Sequence, residues 1–449
     1  MFSFEALFSA INHSLTLYLV FPGLVLLGVY LSFRLRFLQL VKLKLGFSTL
    51  FGKSTATEDG SISHYQAVAS VLASNFGTGN ISGMAVALTV GGPGALVWMW
   101  IMVLLGSSIQ FANCLLGVKY RRKNAKGEYV GGPMYYLKEG LGLKKVAMFF
   151  AIAVIVAAFC AGNFVQVNSI TYPLESMGIS PWISGSVLAF LVGLVVVGGA
   201  KRVVNVCSAV VPVMAILYLG MALFILGCFS ANVLPAIALM FKSAFSTSSF
   251  FGAAAGYSLM RALTTGFDRA IFATDVGTGT VPLLQSGAKT SHPAVDGIVS
   301  IVAPIVVLIV CTATALVLIV TGAWGESGLQ STNMVTYAFN QGLPGQMGTY
   351  VVLVALFLFG YTTTIAWATC LQRAVNFLFG SRWVFPFHLL YILLVPLGAL
   401  LRVDFAWILA DVALTTMLVL NLIGVAGLSK EVIGDARAFT LLPKQKQRA

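Results

Sequence analysis

Apolar windows about 20 residues long recur down this chain with almost no charge inside them, and at 1.5 Å of helical rise per residue that length matches the hydrocarbon core of a bilayer. They fall at 15–33, 64–90, 95–118, 146–171, 182–199, 204–229, 249–271, 297–322, 348–379, 384–401 and 405–428. Hydrocarbon offers no partner to a peptide group, so such stretches cross as helices. The eleven windows predict an all-α polytopic membrane protein, one membrane unit without a soluble domain. Composition agrees, because 58% of the 449 residues are hydrophobic and only 9% are charged, too little polar surface to cover a soluble globule.

The remaining charges report orientation. Lys and Arg gather after the first, third, fifth, seventh, ninth and eleventh windows, most densely at Lys119, Arg121, Arg122, Lys123 and Lys126, while the other loops are cation-poor. The positive-inside rule then puts the amino terminus outside and the carboxyl terminus in the cytoplasm. The net charge of +13 is read as this topology signal and not as a nucleic-acid footprint, since no basic run interleaves with aromatics in a soluble module. The opening segment lacks a basic start and a small-residue cleavage site, so no removable signal peptide is expected. Cys114, Cys160, Cys207, Cys228, Cys311 and Cys370 lie in apolar stretches without metal spacing and are expected in the core. The four histidines are dispersed and no carboxylates pair, which argues against an enzyme, and no filter-like repeat marks a channel. No obligatory protein partner is evident.

Inside the second window, Ser74-Asn75-Phe76-Gly77-Thr78-Gly79-Asn80-Ile81 interrupts the apolar run. A loosened backbone is tolerated in a membrane only where it lines a cavity or binds something. Freed amides at the start of a half-helix attract a carboxylate, and freed carbonyls at the end of the preceding one suit Na⁺. Glycines at 77 and 79 let a ligand approach the backbone. A small-residue helix-packing face is the plainer alternative.

A near copy, Thr274-Asp275-Val276-Gly277-Thr278-Gly279-Thr280-Val281, follows two hundred positions later. The seventh window has room to cross before it, which would leave the copy near the cytoplasmic face, a chance echo or a gate element. A break in that window is expected instead at 252–256 or 264–266, with Asp268, Arg269 and Asp275 as interfacial ion pairs. In the ninth window Thr363 and Trp367 are four apart and share a helical face, while threonines also back-bond within their own helix. Asn163, Gln166 and Asn168 need partners in a low-dielectric setting; for Gln166, a cavity lining and an interhelical bond stand equal. Asp411 is an intramembrane carboxylate, functional by default. The stretch 233–246 reads as an external amphipathic helix.

The sequence resembles the alanine or glycine:cation symporter family at Gly77 to Gly83, Gly91 to Met99, Gly131 to Leu137, Lys289 to Pro293, Cys311 to Leu316 and Thr363 to Trp367. The match covers nearly the whole chain beyond the first window. It implies a sodium-coupled importer of small neutral amino acids in the cell inner membrane, with a LeuT-like core of two inverted five-helix repeats and one extra leading helix. On that reading 1–62 is a peripheral helix and connection, 63–230 and 231–429 are the repeats, and 430–449 is a cytoplasmic tail. Substrate contacts are expected from Asn75, Gly77, Thr78, Gly79, Asn80, Gln166, Thr363 and Trp367. A sodium site is expected from carbonyls near Ala73 and Phe76 with the hydroxyls of Thr362 and Thr363. The chain departs from the family pattern at Gln110, Asn113, Asp275, Val306 and Gln372, where charges or a Glu are usual.

Overall fold

The computed structural model describes residues 4–52, 59–124, 127–245, 259–326, 328–329, 331–401 and 403–441. Almost all of them are helical. Eight described helices are long and apolar enough to cross a membrane, and they answer to eight of the eleven windows. The other three differ for separate reasons. The second window is split, the fifth is the 16-residue helix Pro181–Val196, and the seventh begins outside the described residues.

The split window starts with a capping box: Ser63 Oγ accepts from the Gln66 amide while the Gln66 side chain accepts from the Ser63 amide. Helix α1 (His64–Asn75) then runs twelve residues, about 18 Å. Residues 76–81 leave the α conformation through one 3-10 turn, and α2 (Ser82–Gly91) resumes. Neither half alone crosses a bilayer of about 30 Å. Helix α3 (Ala95–Lys119) follows. The window at 146–171 carries a π turn, Cys160–Phe164, before α4 (Val165–Ser176); Gly162 lies there so close to Trp367 that a Cβ would meet it at 2.4 Å.

The break expected at 264–266 in the seventh window is not there. Residues 252–256 lie outside the described residues, and 264–266 lie within the unbroken helix α5 (Leu259–Thr274). The chain leaves the helix at Asp275, and the near copy of the first motif is itself a break. Asp275 (φ 52°), Gly277 (φ 82°) and Gly279 (φ 84°) adopt left-handed conformations, which glycine alone takes at little cost. The short helix α6 (Val281–Gln285) follows. Every residue from 270 to 285 is buried, so the segment sits in the core and not at its margin. Asp275 is accordingly no interfacial ion pair.

The two breaks touch. Asn75 Nδ2 donates to the Thr274 carbonyl at 2.8 Å. Around them stand α3, whose Gly106 forms the notch that receives Val276, α7 (Met347–Phe379) and α8 (Val403–Gly427). Asn421 of α8 donates to the Gly277 carbonyl at 2.7 Å and to Asn113 Oδ1 at 3.0 Å. The first window packs at Gly28 against Leu105 of α3. The stretch expected as amphipathic is the helix Ser230–Phe245, which buries Ala236, Met240 and Ala244. The last described segment is the helix Ser429–Thr440, tied to Lys119 through Glu431 and Asp435 at 2.8 and 2.7 Å. Five cysteines are buried as expected; Cys228 is exposed.

Candidate substrate and cation site

The first break is organised by amides. Gln166 of α4 reaches across and its Oε1 accepts from both the Thr78 amide (3.0 Å) and the Thr78 hydroxyl (3.1 Å), while its Nε2 donates to the Ala161 carbonyl at 3.0 Å. A Cβ on Gly77 would meet that Oε1 at 2.9 Å, so the bond depends on a bare backbone at 77. Asn80 turns inward on its own loop: Nδ2 donates to the Asn75 carbonyl at 2.6 Å, the Asn80 amide donates to the Gly77 carbonyl, and Oδ1 accepts from Cys311 Sγ at 3.0 Å. The carbonyls and amides released by unwinding are thus partly reclaimed by two side-chain amides, those of Gln166 and Asn80.

What stays open is a small pocket of about 10 Å³, lined by Ser74, Asn75, Gly77, Gly79, Ala161, Gln166, Phe272, Asp275, Thr363, Trp367 and Leu414. Of the eight expected contact residues, six line it. Thr78 and Asn80 stand behind the wall and hold its shape. Gln166 satisfies both of its readings, since it lines the pocket and bridges helices. Asn163 and Asn168 do not reach it; they donate to the carbonyls of Tyr391 and Leu401.

Five lining residues, Ser74, Ala161, Phe272, Asp275 and Leu414, were not singled out in the sequence as contacts. Asp275 is 3% exposed and its Oδ2 has no hydrogen-bond partner, although its place in the repeated motif was the available signal. Phe272 covers Gly79 so closely that a Cβ there would lie 2.7 Å from the ring, and it packs on Trp407 with centroids 4.6 Å apart. Arg269 lies over both rings and 3.5 Å from Asp411 Oδ2, which gives the intramembrane carboxylate a counter-charge. Leu414 carries no signal that separates it from any other apolar residue.

For a cation, the decisive pair is Thr363 and Ala73: the hydroxyl donates to the carbonyl at 2.8 Å and so fixes two hard oxygens side by side, between α7 and the end of α1. Thr362 points elsewhere, donating to the Leu358 and Phe359 carbonyls at 2.8 and 3.1 Å beside Met214. Oxygen-only donor sets suit hard cations. Ala73 and Thr363 fit that requirement, and Thr362 as oriented does not join them.

A profile of the sodium:alanine symporter family matches residues 1–449. The chain belongs to that family. Among its curated relatives, the sodium/alanine symporter AgcS of Methanococcus maripaludis is 35% identical over 94% of each chain. The probable sodium/glutamine symporter GlnT of Bacillus subtilis is 31% identical over 92% of this chain and 86% of its own. Among solved structures, a Na⁺-coupled sialic acid symporter in an outward-open state superposes with a TM-score of 0.54 at 12% identity, covering 89% of this chain and 82% of the other. At that identity the likeness shows the fold alone, a LeuT-like helical transporter architecture. Membership in a symporter family makes the chain a transporter with sodium as its coupling ion.

Proposed function

We propose that this family member imports a small neutral amino acid, alanine or glycine, by sodium symport across the cell inner membrane. The observation that carries the reading is one buried pocket lined together by Asp275, whose Oδ2 has no hydrogen-bond partner, by the bare backbone of Gly77 and Gly79, and by Thr363. A zwitterion presents the complement: an ammonium for Asp275 and a carboxylate for the peptide edge at the head of a half-helix. Sodium would take the Ala73 carbonyl and Thr363 hydroxyl, with the Phe76 carbonyl and, after a rotamer change, Thr362. The ion helps by preferring one arrangement of the two half-helix pairs, since only differential affinity shifts a conformational equilibrium. Phe272 and Trp367 limit the side chain to methyl size by exclusion, because an extra methylene is worth only about 1–3 kcal/mol by apolar contact.

The same reading makes 63–230 and 231–429 inverted repeats of five helices behind one leading helix, eleven crossings in all, with the amino terminus outside. Two features support it: in each segment the first window runs into a break at a Gly-Thr-Gly motif, and each places a short helix, Pro133–Glu139 or Ser331–Gly342, after its second crossing.

Uptake of radiolabelled alanine into proteoliposomes tests the proposal. A sodium gradient should drive accumulation that potassium does not. Accumulation driven equally well by a proton gradient without sodium would favour proton coupling, which the solitary carboxylate of Asp275 makes the second reading. Uptake indifferent to both ions would defeat each.

A further inference from the structure

A second cavity, of about 90 Å³, opens at the cation-rich end of the bundle, lined among others by Ser70, Glu128, Lys201, Ala366, Thr369 and Arg373. It continues the central pocket along two of the same helices. On α1, Ser74 lines the first cavity and Ser70 the second; on α7, Thr363 and Trp367 line the first and Ala366, Thr369 and Arg373 the second. Residues spaced three and four apart share a helical face, and one turn of about 5.4 Å separates the two spaces.

Its chemistry is that of a built polar site with its demands unmet. Arg373 is 9% exposed, its Nε has no hydrogen-bond partner, and its nearest carboxylate oxygen, Glu128 Oε2, stands 3.8 Å from Nη1. That Oε2 is already held by Asn124 Nδ2 at 3.1 Å. The Thr369 hydroxyl, 5% exposed, is likewise without a partner. A buried guanidinium with an idle donor is expensive unless something completes its set, and planar guanidinium donors match a carboxylate. Lys201, exposed at the rim, adds a second positive charge against the single negative one of Glu128.

We propose that this cavity is a second zwitterion site, on the cytoplasmic side of the central pocket, where the departing amino acid places its carboxylate on Arg373 and Thr369 and its ammonium on Glu128. The incoming zwitterion exchanges one long ion pair for two shorter ones, so the ligand itself parts Glu128 from Arg373 and opens the way out. The inference rests on the transport reading above for the identity of the ligand.

Thr369→Cys, with the exposed Cys228 replaced by Ser, gives the test. Inside-out vesicles of the full-length protein are treated with membrane-impermeant methanethiosulfonates, one anionic and one cationic. The expected result is a preference for the anionic reagent that falls about tenfold when Arg373→Gln removes the attracting charge and is kept by Arg373→Lys. Millimolar alanine or glycine should suppress labelling. That protection should survive Gly79→Val, which fills the central pocket, and vanish with Arg373→Gln. Protection that is absent, that disappears with Gly79→Val, or that ignores Arg373 overturns the proposal. Uptake that fails while protection persists indicts the central-pocket reading alone, and uptake that succeeds without protection indicts this one alone. Arg373→Lys, checked for a single symmetric peak in size-exclusion chromatography, separates a lost charge from a lost fold.

Discussion

Asp275 is the residue on which ligand chemistry and stability pull apart. A carboxylate without a counter-charge in a buried pocket destabilises its surroundings, so Asp275→Asn is expected to leave the melting temperature of the detergent-purified protein unchanged or raised. The same substitution removes the charge that meets an ammonium and should abolish the alanine-dependent rise in melting temperature expected of the unaltered protein in sodium. A variant that melts lower yet keeps its alanine response would break the assignment. Legibility at this scale follows polarity. Asn75, Gly77, Gly79 and Gln166 could be picked out because polar and flexible residues are conspicuous within an apolar window. Phe272 and Leu414 could not, since an apolar side chain facing a pocket looks like one facing lipid. Thr362 and Thr363 divide on a finer point: neighbours on a helix are about 100° apart, and composition does not say which of two adjacent hydroxyls turns toward α1.

The two broken helices were unequally legible. In the first, the interruption sits in the middle of a window that makes a single crossing, so its depth follows from counting. In the second, the motif follows an apolar stretch long enough to cross alone, and only tertiary placement shows Asp275 to Thr280 buried, with Val276 against α3 and Gly277 against α8. The left-handed glycines there support a graded prediction. At Gly277 an added Cβ has no neighbour closer than 3.6 Å, so Gly277→Ala carries only the backbone penalty of about 1–2 kcal/mol. At Gly279 the same Cβ would lie 2.5 Å from Pro133 Cγ, and overpacking adds about 1–3 kcal/mol. Thermal melts should therefore rank wild type above Gly277→Ala and Gly277→Ala above Gly279→Ala. Equal losses at the two positions would contradict this packing.

At the scale of the whole molecule, the bundle and the sign of its ends were written in apolar length and in the alternation of cation-rich loops, both properties that a bilayer imposes on any crossing chain. The contacts between distant segments were not, because nothing local ties residue 75 to residue 274. The proposed topology is checked by reporter fusions: a fluorescent protein joined after Ala449 should fold and glow, and alkaline phosphatase at the same place should stay silent. The opposite pattern would invert every statement about inside and outside. The bond from Asn75 to Thr274 also has a consequence for how the chain can be divided. Each half carries peptide groups that only the other half satisfies, so neither is a self-sufficient membrane passenger. Severed between Phe245 and Leu259 and made as two polypeptides, the halves should survive in the cell only as a couple, each one the other's chaperone.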